Sequence, residues 1–489
     1  MNILVLNGSP KGGNSGTLYT SLYLEKLHPE HSFFYLSVGQ KIRFYETDFT
    51  QAKEAIERAD LLIFSYPVYT FLVPYQMHRF LELMKIHAAA GGMKLAGKYA
   101  TQISTSKHFY DVTAHKFVEE NCHDMGLKYL PGLSADMEDL LHEKGQLEAR
   151  SFFEQTMFFI EKDICTKPIC KMAGTHASFK NKEDMNKCSE DTLISGTALY
   201  KASFAPVEKT TNRKISIITS CADDDVTLRN MIADFTAATS AEVKICNIRQ
   251  FPFAGGCLGC LQCAISGKCI YKDGFDDYLR NEIQDCNGMV YAFTIENHYA
   301  HSCFKAFDDR QFCNGHRTVM EGTPVGYLIN GNYSQEMNLR MVVEARAQVG
   351  GNFFAGVVAA EDNMSSENIA VDIKNMAMVM DQAMESHWVR PKDFYGVGGS
   401  KIFRDLIYVM RGIMKADHQF YKAHGAYNDL PQKQRGRMIA MMFAGKMLSM
   451  PSVQKKMGGK ITEFMVAPYK KVIDDVANLG YNNSDINSQ

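Results

Sequence analysis

The sequence predicts two doubly wound α/β domains in tandem, followed by a helical extension. Three observations predict this. Short apolar runs alternate with helical patterns from residue 2 onward, the alternation restarts at Lys214, and the composition changes after about residue 386. Short apolar runs that end in turn residues read as parallel strands buried on both faces. Their alternation with helices indicates an open α/β sheet. The chain has 489 residues, enough for two or three domains, with 46% hydrophobic and 22% charged residues, a globular balance.

The elements follow in order. Residues 2–6, Asn-Ile-Leu-Val-Leu, form the first strand and stop at Asn7-Gly8-Ser9-Pro10. The loop Lys11-Gly12-Gly13-Asn14-Ser15-Gly16-Thr17 leads into a helix with Leu18, Leu22 and Tyr23 on one face. Strands are expected at 32–36 and 61–65, with a helix at 49–58 between them. This first domain covers 1–163. Residues 164–212 are polar and lack strand periodicity, so they read as a linker with one helix at most. The second domain, 213–385, repeats the order: strands at 215–220, 242–248, 288–293, 323–330 and 353–359, and a helix at 226–236. The long period indicates a tandem duplication. Residues 386–489 carry 16 Lys/Arg against 8 Asp/Glu and are rich in Met. Helices are expected at 402–414 and after Pro431 and Pro451, packing a Met-rich face on the two domains. Membrane-surface or partner contact is the alternative for this basic region.

No apolar stretch reaches membrane-span length. The opening MNILVLNGSP has no basic run before its apolar residues and does not read as a secretory signal. A cytoplasmic location is therefore expected, with the 13 Cys as thiols or metal ligands. A net charge of −2 and no reader motif argue against nucleic acid.

The first loop has the makings of an anion site. A strand passing through small residues into a helix start directs backbone N–H groups and a helix dipole at one point. Ser9, Ser15 and Thr17 add hydroxyls and Lys11 adds a cation. The spacing is neither GxxxxGK[ST] nor GxGxxG, so a terminal phosphate suits it better than a nucleotide triphosphate or dinucleotide. After the third strand, Pro67, Val68, Tyr69 and Phe71 offer a flat apolar surface at the sheet edge where ligands bind. Ser104, Thr105 and Ser106 follow the next apolar segment with polar donors.

NGSPKGGNSGT followed by YPVY resembles the flavodoxin-like NAD(P)H-dependent FMN reductases over residues 1–160. The resemblance implies FMN as cofactor and NAD(P)H as electron donor. It implies that Ser9, Lys11, Asn14, Ser15, Gly16 and Thr17 hold the phosphate, that Pro67, Val68, Tyr69 and Phe71 flank the ring, and that Ser104, Thr105 and Ser106 meet its far edge.

Cys257, Cys260, Cys263 and Cys269 fall in the pattern C-x2-C-x2-C-x5-C. Four thiolates so close in sequence suit one compact Fe–S or Zn centre, the spacing favouring the former. Thiols without metal are the plain alternative. Cys165, Cys170 and Cys188 make a weaker grouping. GCLGCLQCAISGKCIYKDGFDDY, with KAFDDR at 305–310, resembles the iron–sulfur flavoproteins, which implies a [4Fe–4S] cluster on the same type of fold. The second half departs from the flavin pattern. Its first loop carries Asp223, Asp224 and Asp225 where a phosphate would sit, and its second loop lacks Pro-x-Tyr. The first half has no Cys after its second strand. The two halves thus read as a fused pair, one FMN in the first exchanging electrons with one cluster in the second.

These readings predict a flavin-dependent oxidoreductase passing electrons to a small molecule or a protein acceptor, with a ferredoxin-like protein as the other candidate donor. An electron-transfer flavoprotein that docks a carrier without small-molecule turnover is the alternative, and a cofactor-free scaffold the third. Homo-oligomerisation is compatible with either. His108 and Tyr110 lie near the expected ring edge as candidate proton donors, against a plain packing role.

Overall fold

The computed structural model describes residues 1–167, 200–201, 203–453 and 469. Cys170 and Cys188, most of the expected linker and nearly all of the chain after 453 lie outside them. The chain divides into two compact units, Met1–Tyr421 and Lys422–Gln489.

The larger unit holds two parallel sheets. The first runs β1 (Asn2–Asn7), β2 (Ser32–Leu36), β3 (Leu61–Pro67), β4 (Tyr99–Ser106), β5 (Lys128–Tyr129) and β6 (Leu133–Asp136), in spatial order β2-β1-β3-β4-β5 with β6 also paired to β4. The second is built from β7 (Lys214–Thr219), β8 (Glu242–Asn247), β9 (Gly288–Thr294), β10 (Pro324–Asn330) and β11 (Phe353–Ala360), in order β11-β10-β9-β7-β8. Numbered within its own half, the second order is the first, 2-1-3-4-5, which is that of flavodoxin-like sheets. Ile3 to Leu6 are fully buried, as a strand covered on both faces requires.

The helices that position the sites are α1 (Gly16–Leu27), α2 (Val38–Thr47), α3 (Thr50–Arg58), α4 (Tyr75–Ala89), α5 (Asp111–Asp124) and α6 (Glu143–Glu161) in the first half. The second half supplies α7 (Val226–Ala238), the short α8 (Gln262–Ser266) and α9 (Phe275–Tyr278), then α10 (Ser302–Arg310), α11 (Met337–Gly350) and α12 (Ser366–Ser386). On α12 the buried Ile369, Ile373, Met376, Ala377, Met380 and Met384 follow helical spacing and cover the outer face of the second sheet. Ser365 caps this helix, its side chain accepting from the Asn368 N–H at 3.3 Å.

One continuous apolar core joins the halves, running from Leu4, Phe80 and Met84 to Phe304, Phe307 and Val343. The loops after β3 and β9 have the same form. Tyr69 bridges Leu72 and Glu296 bridges Tyr299, and each turn holds two consecutive non-glycine residues at positive φ, Thr70 and Phe71 in one, Asn297 and His298 in the other. The two halves thus share strand order and loop geometry.

The helical segment expected at 402–414 begins earlier, as α13 (Phe394–Val409), followed by α14 (Lys415–Ala423). Glycines 396, 398 and 399 hide the start, because glycine disfavours helix. Gly396 and Gly399 are buried, and a Cβ at Gly399 would press on Val349 and Phe109. In the smaller unit, α15 (Arg435–Leu448) has no buried residue and exposes Met438, Met441, Met442 and Phe443. Among the described residues no helix is long and apolar enough to cross a membrane.

Candidate functional site

A cavity of about 790 Å³ lies at the C-terminal edge of the first sheet. Its walls come from four sources: the loops of the first half, the cysteine segment of the second, the end of α10 with the loop after it, and α13 with the residues that follow it up to Met414. Such a volume is in the range of small-molecule and cofactor sites.

The loop before α1 is stiffened from within. Asn7 Nδ2 donates to the Gly12 carbonyl at 3.2 Å, and Asn7 Oδ1 accepts from the Ser9 N–H at 3.2 Å. The Lys11 N–H donates to Ser9 Oγ at 3.3 Å. The start of α2 packs so closely that a Cβ at Gly39 would overlap the Ser9 carbonyl. Ser15 is the N-cap residue of α1 but forms no capping bond with its side chain. The first N–H groups of α1 therefore lack intrahelical acceptors. Thr17 Oγ1 and Thr105 Oγ1 are 2.5 Å apart. Nothing lies within 4 Å of a Cβ built at Gly13 or Gly16.

Of the residues expected from the sequence, Ser9, Lys11, Ser15, Gly16, Thr17, Pro67, Val68, Tyr69, Thr105 and Ser106 line this cavity. Asn14, Phe71 and Ser104 do not. Asn14 is exposed. Phe71 packs against Phe109 and Tyr110 beside a smaller cavity of about 220 Å³. The Ser104 hydroxyl is buried against His115 Nε2 at 2.8 Å. His108 and Tyr110 also lie elsewhere. His108 Nδ1 is 2.8 Å from Asp111, and Tyr110 donates to the Tyr395 carbonyl at 2.8 Å.

Cys257, Cys260, Cys263 and Cys269 all line the same cavity. Their segment turns through left-handed backbone at Gly259 and Leu261, and a Cβ at Gly259 would overlap the Tyr69 hydroxyl. That hydroxyl is buried without a hydrogen-bond partner. The Gly259 N–H donates to Cys257 Sγ at 3.4 Å. Burial pushes the Cys257 thiol well above its ordinary range, opposed by that N–H. Burial raises the Cys263 thiol to about 11, and Asp417, Cys269 and Cys260 add to the effect. No three of these sulfurs lie within 4.8 Å of one another among the described residues. A tetrahedral zinc, with Zn–S bonds of about 2.3 Å, draws its thiolates closer than this. A [4Fe–4S] cluster takes one thiolate per iron and spreads them further. Four cysteine thiols are the donor type that iron–sulfur clusters use, and all four face one cavity.

The segment is held by α10. Arg310, 1% exposed, donates to both carboxylate oxygens of Asp273 at 2.7 Å and to the Gly255 carbonyl at 2.9 Å, with its guanidinium over the Tyr271 ring. Lys305 pairs with Asp309, both fully buried, and donates to the Tyr69 carbonyl at 2.8 Å. Asp309 accepts from the Tyr75 N–H at 2.8 Å. KAFDDR thus fastens the cysteine segment to the ring loop of the other half. Sequence reasoning marked this run only as a resemblance, because charged residues read as surface.

The corresponding turn of the second half carries its own anion. Asp225 is the N-cap of α7, its Oδ1 accepting from the Leu228 N–H at 3.0 Å and from Asn330 Nδ2 at 3.2 Å. Its other oxygen accepts from Thr294 Oγ1. The helix start that would meet a phosphate is already satisfied.

Fold and site together define a flavodoxin-like α/β domain in the first half, followed by a second parallel-sheet α/β domain that carries the cysteine segment. Residues 1–139 match the family described as flavodoxin-like fold. No curated protein matches the chain. Among solved structures, it is similar to a putative quinone reductase from Klebsiella pneumoniae, at 16% identity and TM-score 0.25, covering 35% of this chain and 87% of that one. It is also similar to general stress protein 14 from Treponema denticola in complex with FMN, at 15% identity and TM-score 0.26, covering 32% and 98%. An NAD(P)H:quinone oxidoreductase from Methanothermobacter marburgensis aligns at 12% identity and TM-score 0.28, covering 36% and 98%.

Proposed function

We propose that the chain is an FMN-dependent oxidoreductase that takes electrons from NAD(P)H or a ferredoxin-like donor and passes them between FMN and a [4Fe–4S] cluster. The FMN belongs to the domain at 1–163 and the cluster to the domain at 213–385. One observation carries the reading: the phosphate-type loop, the ring loop and all four cysteines line a single cavity.

Ser9, Lys11, Ser15, Gly16 and Thr17 hold the phosphate with hydroxyls, a cation and unpaired helix N–H groups. Pro67, Val68 and Tyr69 flank the ring, and Thr105 and Ser106 meet its polar edge. Cys257, Cys260, Cys263 and Cys269 ligate the cluster. When bound, FMN supplies an exchange between paired and single electrons, and the protein contributes orientation and electrostatics. Lys305, Asp309 and Arg310 fix the spacing between the two groups, since they tie the ring loop to the cysteine segment. The acceptor is a small molecule entering beside the apolar wall of α13, from which Ile402, Leu406 and Val409 line the cavity.

Expression and purification without oxygen, with FMN, iron and sulfide measured per chain, tests the reading. A Cys260→Ser/Cys263→Ser double variant should lose iron and keep flavin. Loss of flavin alone, with iron retained, contradicts the assignment of the cysteines.

A further inference from the structure

Neither His108 nor Tyr110 lines the cavity, but one histidine does. His316 lies on the loop after α10 and lines both the large and the small cavity. Its Nδ1 is 2.9 Å from Asp417 Oδ2, and its backbone N–H donates to the same oxygen at 3.2 Å. Asp417, from α14, is fully buried. Its other oxygen lies 3.4 Å from Arg317 Nε, and a Cβ at Gly315 would overlap it. Tyr421, one turn further along α14, donates to the His316 carbonyl at 3.0 Å. The His316 ring packs on Phe403 of α13, with centroids 4.5 Å apart.

An ionised carboxylate only accepts, so the imidazole must donate through Nδ1. That fixes the tautomer and leaves Nε2 as the exchangeable position. Nε2 forms no hydrogen bond among the described residues, although the side chain is only 13% exposed. A histidine whose sole task was to anchor α14 would need no lining position. A ring oriented from behind by a buried carboxylate, with its second nitrogen unbonded, is the arrangement of an acid–base group.

We infer that His316 is the proton donor to the acceptor reduced in this cavity, and that Asp417 is its positioning residue. The inference rests on the flavin reading above. Protonated His316 gives its Nε2 proton to the acceptor as that acceptor gains a hydride, with its electron pair, from the flavin in its reduced form. The Nε2–H bond breaks as a bond from that hydrogen to an acceptor oxygen forms, the hydride forms the acceptor's second new bond to hydrogen and would leave the flavin oxidised, and neutral His316 takes a proton back from water.

Two measurements test this on the full-length chain. In the first, protein loaded with FMN and reduced photochemically is mixed with 1,4-benzoquinone, which needs protons, or with ferricyanide, which needs none. In His316→Gln the ratio of quinone to ferricyanide rate falls about a hundredfold, the low end of general acid catalysis. An unchanged ratio overturns the inference while leaving the flavin reading standing. Wild-type protein that reduces neither acceptor overturns both. The second measurement needs no flavin. In 15N-histidine-labelled protein, assigned with His316→Gln, the His316 ring is the Nδ1–H tautomer. Asp417→Ala removes the acceptor that faces Nδ1, so the single tautomer gives way to a mixture of the two. A mixed tautomer in the wild type would mean that Asp417 does not orient the ring, and that result overturns its role as positioning residue.

Discussion

The N-cap of the first helix is Ser15 in one half and Asp225 in the other. The difference is one carboxylate, and it acts through charge. Two like charges about 4 Å apart cost on the order of 1 kcal/mol in water and more when partly buried. Ser15→Asp therefore lowers FMN affinity about tenfold or more, read by flavin fluorescence titration; unchanged affinity would remove the phosphate from this loop. Gly259 makes a second test at this scale. Alanine there adopts left-handed backbone at about 1–2 kcal/mol and meets the Tyr69 hydroxyl. Gly259→Ala should lower the urea midpoint and the iron content together. A variant with full iron content and wild-type stability would show that the cysteine segment does not need this close approach. Much of the site was legible in residues, because glycines, hydroxyls and cysteines advertise their chemistry locally. His316 and Asp417 did not, since they are 101 positions apart and meet only through the packing of α14.

Among the elements, the strands read clearly as short apolar runs, but α2 did not. It mixes Gly39 with polar residues and buries only Val38, Gly39, Ile42 and Tyr45. The glycine that weakens its helical signal is required by the close approach to the Ser9 carbonyl. The junction between α5 and the loop after β9 carries a titratable device of its own. His298 sits between Asp124, 3.0 Å from Nε2, and Glu336, 3.0 Å from Nδ1. Burial opposes its charged form, yet the bonds to the two carboxylates raise it to about 9. Because the folded value lies above the unfolded one, about 6.5, the stabilisation is complete below the latter and is lost as pH rises through about 9. The urea midpoint should therefore fall between pH 7 and pH 10, and His298→Leu should abolish that fall at a cost of about 1–3 kcal/mol at pH 7. The same slope in the variant would place the titration elsewhere.

For the molecule as a whole, the shared core predicts that the two halves of Met1–Tyr421 unfold together. A ligand held by the first half then stabilises the second. FMN at a hundred times its Kd should add about 2.7 kcal/mol, and the gain should appear in the hydrogen-exchange protection of β9 and β10 as well as β1. Protection confined to the first sheet would mean that the halves fold independently. The shared strand order was legible because each strand leaves a short apolar run. The fastening of one half to the other was not, because it depends on the buried Lys305, Asp309 and Arg310, charged residues whose burial no local pattern signals.

The central claim is a division of labour, with flavin in one half and cluster in the other, facing one cavity. Cofactor counting on anaerobically purified full-length chain tests it most directly, with Ser15→Asp and Asp225→Ser measured beside the wild type. One FMN and one [4Fe–4S] cluster per chain are expected, with flavin lost in the first variant and kept in the second. Two flavins per chain, or flavin that disappears only with Asp225→Ser, would contradict it.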